Sequence, residues 1–353
     1  MSGITCTAVV QRIEPAGSIL VEEQVQLPSL QEHQVLVRVV RAAFNPTDAQ
    51  AFDVNAFGNG AVLGCDFAGI VEEAHPTVTR YKKGDRISAL VWGGEKIPVG
   101  AYSQYCIADE RIAFPVAPSL DLNEAVTIPL ATATAWLALL SKGCLDMSQE
   151  RGKKTPVLIW GGGSTVGSFT IQLARILGLE VITTCSPRSF EVVKRHGATH
   201  AFDYKDADVV DQIQKCSPGL KHAFDTIGNA KSSTQASASM GANNGNVCTV
   251  RPGKAFTEGV ASHIKITDVF VFTAFLKEHT YRQVYHWPVL PEDHKLTVEL
   301  YEQIPKWVEQ GTFKPQRPRK MGKLSADTVA TAMQLYRDNA LTNEKCVFDV
   351  GDI

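Results

Sequence analysis

The residues best placed to do chemistry stand together at Val157-Leu158-Ile159-Trp160-Gly161-Gly162-Gly163-Ser164-Thr165-Val166-Gly167. A short apolar run stops at three glycines, and an amphipathic pattern follows. Such a turn lets backbone N–H groups approach a phosphate closely, and a helix N-terminus adds partial positive charge. That is the chemistry of a dinucleotide pyrophosphate site. Gly161, Gly163 and Gly167 give a G-x-G-x-x-x-G spacing, one residue longer than the common fingerprint. The plain alternative is a tight strand–helix turn that binds nothing.

Further along, the end of the next apolar strand would meet the adenosine ribose. An acid there accepts from the 2′-hydroxyl of NAD, whereas a neutral or basic site admits the 2′-phosphate of NADP. The chain reads Thr184-Cys185-Ser186-Pro187-Arg188, with no Asp or Glu. Ser186 can donate a hydrogen bond and Arg188 can pair bidentately with phosphate, so these residues favour NADP. The competing reading is a simple turn with a solvated Arg188. Tyr204 could flank the adenine or be structural. Val250-Arg251, after a later strand, lies where the nicotinamide half would sit.

The elements that must position these residues are legible in outline. The 353 residues suggest two domains. Apolar content of 44% and charged content of 20% fit a soluble globular chain. A net charge of -2 gives no electrostatic case for nucleic acid or an anionic membrane. No secretory pattern or membrane-length apolar run is present, which makes the cytoplasm the expected location. The eight cysteines are scattered without a C-x-x-C pair, against a structural zinc lobe or a disulfide framework.

Residues 5–115 read as β-rich, with strands at 35–40, 69–71 and 86–91 and a turn at Lys83-Gly84-Asp85, suggesting a partly open barrel. Residues 123–140 read as helix interrupted at Pro129. Strands and helices then alternate. Strands are expected at 157–160, 181–185, 201–204, 222–227, 246–250 and 269–272, with helices at 164–178, 189–196 and 209–215. That alternation implies a parallel, doubly wound α/β sheet. A polar loop over 277–291, a helix over 296–310, a basic Pro-rich loop over 314–323, a helix over 328–337 and a strand over 346–350 complete the chain.

Taken together, these features resemble the medium-chain dehydrogenase/reductase superfamily over essentially the whole chain. The carriers are Asn45-Pro46-Thr47-Asp48, Gly64-Cys65-Asp66-Phe67-Ala68-Gly69, Lys83-Gly84-Asp85-Arg86, Gly100-Ala101-Tyr102-Ser103-Gln104-Tyr105 and the glycine stretch. The resemblance implies a GroES-like β-rich catalytic domain, residues 1–129 with 286–353 returning to it. A Rossmann-like cofactor domain would fill 130–285. The zinc branch carries a Cys before its Thr/Ser-Asp pair and a Gly-His-Glu segment. Here Asn45 and Gly64-Cys65-Asp66 stand there, so the usual zinc donor set is missing and no metal is expected.

Within the zinc-free branch, Trp160-Gly-Gly-Gly-Ser164-Thr165, Cys185-Ser186-Pro187 and Phe202-Asp203-Tyr204 resemble the fungal trans-acting enoyl reductases of polyketide synthases. That likeness implies NADPH, with Gly163, Ser164, Thr165, Val166 and Gly167 along the pyrophosphate. Pro46, Thr47 and Asp48 would sit by the nicotinamide, and Cys346 and Val347 would close the site. Trp136, Leu137, Leu139, Leu140 and Gly143, with Val271, Phe272 and Phe275, would border an acyl pocket or simply pack the core. Comparable members place a Lys where this chain has Gln50, which can orient a carbonyl but cannot deliver a proton at neutral pH. Asp48 would need a raised pKa to donate, and a structural role fits it better.

The reaction implied is conjugate reduction of an α,β-unsaturated acyl thioester held on a synthase acyl-carrier domain. Lys314, Arg317, Arg319, Lys320 and Lys323 could meet an acidic carrier or form a solvated loop. Two other readings remain: a stand-alone quinone or enone reductase, and a non-catalytic NADPH-binding partner of a synthase. The resemblance favours a monomer over a homodimer.

Overall fold

The computed structural model describes residues 3–352. The first part of the chain forms strands β1 (Thr5–Glu14), β2 (Gly17–Gln26), β3 (Gln34–Ala43), β4 (Asp66–Ala74), β5 (Arg86–Leu90), β6 (Tyr105–Asp109) and β7 (Ala113–Pro115). β1 and β2 pair as an antiparallel hairpin. β3 is the hub of the larger sheet because Val35, Val37, Val39 and Val40 are buried, so both its edges are available for pairing within the core.

The alternating half supplies β8 (Pro156–Trp160), β9 (Glu180–Cys185), β10 (His200–Asp203), β11 (His222–Asp225), β12 (Gly245–Thr249) and β13 (Ile264–Asp268). They form a wholly parallel sheet in the order β10-β9-β8-β11-β12-β13. β8 is central and buried from Val157 to Trp160, as its unbroken apolar run requires when helices cover both faces. The order reverses between β8 and β11, and the crevice beyond their carboxyl ends is where such sheets bind ligands. The fold is therefore a GroES-like β domain joined to a Rossmann-like parallel-sheet domain.

The chain closes with a hairpin of β14 (His279–Tyr281) and β15 (Tyr285–Trp287). The helix Pro291–Glu309, β16 (Arg317–Lys323), the helix Ala326–Arg337 and β17 (Glu344–Asp349) follow. β17 pairs antiparallel with β3 and parallel with β16, so the C-terminal segment returns to the first sheet. Among the described residues, no helix is long and apolar enough to cross a membrane. All eight cysteines are free thiols.

Several sequence expectations require correction. The last parallel strand is Ile264–Asp268, not 269–272, because an edge strand tolerates the polar alternation of Lys265 and Thr267. Val271–Ala274 is a 3₁₀ turn whose neighbourhood is set by ring packing, with Phe272 stacked on Trp92 at 4.4 Å and Phe270 on Trp287 at 3.6 Å. The expected loop over 277–291 holds the β14–β15 hairpin. The expected basic loop over 314–323 contains β16, an edge strand whose outward charges suit an unpaired side. The helix read at 296–310 begins five residues earlier, with Pro291 in its first turn.

Candidate functional site

The glycine turn is built by close packing. Gly161 has φ +93°, a conformation that only glycine adopts freely. A Cβ on Gly167 would lie 2.3 Å from the Gly161 carbonyl oxygen, so helix Thr165–Ile176 can start hard against β8 only with glycine there. Ser164 caps that helix, its Oγ accepting from Gly167 N–H at 2.9 Å and sharing a hydrogen bond with Thr226 Oγ1 at 2.9 Å. The N–H groups of Thr165 and Val166, in the same first turn, have no intrahelical acceptor and border a cavity of about 430 Å³.

That cavity runs along the carboxyl ends of β8, β11 and β12. On one side stand Gly163, Ser164, Thr165 and Val166, then Thr226, Ile227, Val250 and Arg251. The Arg251 guanidinium is anchored on backbone, its Nε donating to Gly228 O at 2.9 Å. Facing them are Phe44, Asn45, Pro46, Thr47 and Gln50, contributed by the link after β3 and the helix Pro46–Asp53. The C-terminal return adds Tyr336, Asn343, Lys345 and Cys346, and an apolar end is walled by Trp92, Phe270, Phe272 and Tyr281.

Two observations show that the polar half fits a dinucleotide. The Thr165 and Val166 N–H groups present donors at a helix N-terminus. Asn343 lies beside Gly163, its N–H donating to Gly163 O at 3.2 Å, and its Oδ1 is buried without a partner. An orphaned acceptor bordering the cavity is what a hydroxyl-bearing ligand would satisfy.

Beneath the opposite wall lies a buried polar network. Asp66 accepts from Asn45 Nδ2 at 2.9 Å and from Leu130 N–H at 2.8 Å, and forms an ion pair with Lys345. Lys345 Nζ also donates to Thr127 O at 3.3 Å. Asp48 accepts from Asn45 N–H at 2.8 Å, Tyr102 Oη at 2.8 Å and Cys65 Sγ at 3.4 Å. Burial raises the Asp48 carboxyl to about 6, against the opposing pull of those hydrogen bonds. Burial, with Asp48 and Asp66 nearby, pushes the Cys65 thiol well above its ordinary range. Among the described residues, no group of three or more His, Cys, Asp or Glu is arranged to hold a metal ion.

Of the residues expected at the site, Pro46, Thr47, Gln50, Gly163, Ser164, Thr165, Val166, Val250, Arg251, Val271, Phe272 and Cys346 line this cavity. Asp48 and Val347 are buried behind it. Gly167 is buried in the helix, its N–H taken by Ser164. Ser186 and Arg188 follow β9 outside it, with Arg188 Nη2 donating to Thr342 Oγ1 at 2.8 Å. Tyr204 is exposed at the end of β10.

The segment around Trp136 is not brought to the cavity. Helix Pro129–Leu140 is buried on every face, and Trp136, Leu137, Leu139 and Leu140 pack in the core, with Trp136 Nε1 donating to Leu296 O at 2.9 Å. Only Leu130, Ala131 and Thr134 of that helix reach the cavity, while Gly143 is exposed on a loop. Phe275 lines a neighbouring cavity with Glu95 and Lys277.

Sequence reasoning missed Trp92, Tyr281, Tyr336, Asn343 and Lys345. Lys345, the one cation of the strand Glu344–Asp349 and next to the apolar run Cys346-Val347-Phe348, carried a readable signal; the others sit in segments whose approach to the site is purely tertiary.

Comparison with known proteins agrees with this architecture. Residues 31–118 match the alcohol dehydrogenase GroES-like domain and residues 165–286 match the zinc-binding dehydrogenase domain. The chain is 30% identical over 356 residues to the trans-enoyl reductase traG of Penicillium crustosum, covering 98% of this chain and 97% of that one. It is also 30% identical over 338 residues to the trans-enoyl reductase pyiC of Pyricularia grisea, covering 93% and 89%. Among solved structures it superposes on the CurK enoyl reductase with a TM-score of 0.71 at 18% identity, over 98% of this chain and 99% of that one. A putative zinc-dependent alcohol dehydrogenase protein from Rhizobium etli gives 0.79 at 24% identity, over 99% of each. A chain with this two-domain frame, and with near full-length likeness to those relatives, belongs to the medium-chain dehydrogenase/reductase superfamily, among the fungal trans-enoyl reductases.

Proposed function

We infer that the protein is an NADPH-dependent trans-acting enoyl reductase that needs no zinc. Its substrate is the α,β-unsaturated acyl thioester of a growing polyketide, presented on a synthase acyl-carrier domain. The observation that carries this reading is the single cavity of about 430 Å³ that joins the glycine turn to the Trp92, Phe270 and Phe272 wall. One end is polar and offers helix N–H donors; the other is apolar and fits an acyl chain.

Bound NADPH would supply the hydride. The chain's own residues would do the rest. Thr165 and Val166 N–H groups would hold the pyrophosphate, and Ser186 and Arg188 the 2′-phosphate, in a segment from Thr184 to Arg188 that carries no acid. Pro46, Thr47, Val250 and Cys346 would frame the nicotinamide end. The aromatic wall would exclude water and align the acyl chain, so that placement provides much of the acceleration. Negative charge then develops on the thioester oxygen, where donors must face it. The positions that carry zinc ligands in the metal branch, Asn45 and Cys65, are engaged with Asp66 and Asp48, and the raised Cys65 pKa disfavours a thiolate, so the donor set does not suit zinc.

On this reading residues 1–129 and 286–353 form the catalytic domain and 130–285 the cofactor domain, and the enzyme works in the cytoplasm as a monomer. The experiment follows NADPH oxidation with carrier-bound enoyl thioesters and, separately, with free enones and quinones. Turnover of the carrier-bound substrate supports the reading. Fast turnover of free quinones without it would make the protein a stand-alone reductase. Tight NADPH binding with no oxidation on any substrate would make it a non-catalytic partner.

A further inference from the structure

Conjugate reduction needs a proton as well as a hydride, and the position where relatives were expected to carry a Lys holds Gln50. The structure gives that glutamine a partner. Gln50, on helix Pro46–Asp53, donates from Nε2 to the Tyr336 hydroxyl oxygen at 2.8 Å, and Tyr336 comes from helix Ala326–Arg337 near the other end of the chain. Both side chains line the cavity. Phe44 packs against the tyrosine ring at 6.1 Å between centroids, and the Arg337–Asp53 ion pair ties the same two helices nearby.

A phenol both accepts and donates. The Gln50 amide fills the accepting role, and among the described residues the Tyr336 hydrogen has no acceptor. The hydroxyl therefore has an unspent donor beside the cavity. The two other proton-bearing groups nearby are committed. Lys345 Nζ is engaged by Asp66 and Thr127 O, and losing its proton would strand a buried carboxylate. Asp48 is buried, and both its oxygens already accept hydrogen bonds.

We propose that the Tyr336 hydroxyl, aimed by Gln50, is the acid of the enoyl reduction, an assignment that rests on the reductase reading above. The β-carbon receives a hydride from the reduced dinucleotide, which is oxidised. The π-electron pair moves toward the α-carbon and the thioester oxygen. The Tyr336 O–H bond breaks as the new α-carbon–hydrogen bond forms. The phenolate that remains is held by the Gln50 amide and regains a proton from solvent. The thioester oxygen lies two bonds from the α-carbon, so the same hydroxyl meets the carbonyl in the bound state.

The test compares wild type with Tyr336→Phe, Gln50→Glu and Gln50→Lys. Tyr336→Phe removes one hydroxyl and should fold as wild type by circular dichroism, while kcat on enoyl thioesters falls roughly 10²- to 10⁴-fold. Gln50→Glu is nearly isosteric but turns the donor into an acceptor that draws the phenol hydrogen away from the substrate; kcat should fall comparably. Gln50→Lys still donates and should keep kcat within about tenfold of wild type. A readout without turnover is calorimetric binding of a saturated acyl thioester to the cofactor-free protein, which Tyr336→Phe should weaken about five- to tenfold. Wild-type kcat and binding in Tyr336→Phe overturns the inference and leaves the reductase reading intact. Equal losses in folded Gln50→Glu and Gln50→Lys overturn the aiming role. A wild type that reduces no enoyl thioester overturns both inference and reading.

Discussion

Replacing Lys345 by methionine should be among the most damaging single changes to stability that do not touch an apolar side chain. The Lys345 side chain is 3% exposed and that of Asp66 0%, so the pair has no water to fall back on. In Lys345→Met the Asp66 carboxylate keeps only Asn45 Nδ2 and Leu130 N–H, both neutral donors. Breaking one side of a buried ion pair costs about 3–5 kcal/mol, because the remaining charge is neither paired nor hydrated. For a unit of this size each kcal/mol lowers Tm by about 2–4 °C, so the fall should be about 6–20 °C. Lys345 lies on β17, which pairs with both β3 and β16, so the loss should appear in the cooperative melting of the first sheet rather than as local fraying. Thermal unfolding by circular dichroism at neutral pH reads it directly. Neutralising the partner as well, in Lys345→Met/Asp66→Asn, removes the stranded charge and should restore at least half of the lost stability. A Lys345→Met protein that melts within about 1 °C of wild type would refute the charge argument, as would a double variant no more stable than the single one.

Three other outcomes follow from the same geometry. Asp48 titrates at about 6 in the folded protein against 3.8 unfolded, so the folded state binds the extra proton between those values. Stability should therefore fall by about 3 kcal/mol as pH rises from about 4 to about 6, then level off; the Tm difference between wild type and Asp48→Asn across that window isolates the effect, and a flat difference would contradict it. Gly167→Ala places a Cβ 2.3 Å from the Gly161 carbonyl oxygen, a backbone atom with little room to yield. We expect a loss of at least about 1–3 kcal/mol in denaturant unfolding and weakened NADPH binding, and an alanine variant that binds as wild type would show that the turn can open. Arg188→Ala should raise the NADPH dissociation constant about 10- to 100-fold by removing a charge-assisted contact, with NADH affinity unchanged in parallel titrations; equal change in both cofactors would place the arginine away from the 2′-phosphate.

What the sequence disclosed depended on how local the signal was. The glycine turn, the cap at Ser164 and the end of helix Phe190–His196 at left-handed Gly197 are decided within a few residues, and local chemistry reads them. Strand β13 escaped because Lys265 and Thr267 alternate with Ile264 and Ile266 as a surface segment would, whereas the apolar run from Val269 to Phe272 mimics a buried strand. Phe272 and Phe270 are instead stacked on Trp92, far away in sequence, and on Trp287 of the following hairpin. The helix around Trp136 exposes a deeper ambiguity: an all-apolar helix can wall a pocket or fill a core, and only its neighbours decide. Tyr336 and Lys345 reach Gln50 and Asp66 across 286 and 279 residues, a distance over which no periodicity carries information.

The two acids below the cavity are held by different kinds of partner. Both Asp48 and Asp66 are buried, and both hydrogen-bond to Asn45, one to its backbone N–H and the other to its side-chain amide. Only Asp66 also has a cation, Lys345, which balances its charge directly. Asp48 must make do with a backbone amide, a phenol and a thiol, each neutral, and its carboxyl rises to about 6 with Asp66 adding to the push. Hydrogen bonds from neutral donors offset part of a desolvation cost; a buried counter-ion offsets far more. The single ammonium thus pairs with one of the two buried carboxyls and leaves the other to neutral donors alone. It also fixes β17 under the site, because the Lys345 backbone cannot move without pulling its Nζ from Asp66. Cys346, the next residue, is thereby held at the cavity wall, so the network that occupies the place of the metal branch's ligands acts as a positional anchor for the cavity above it.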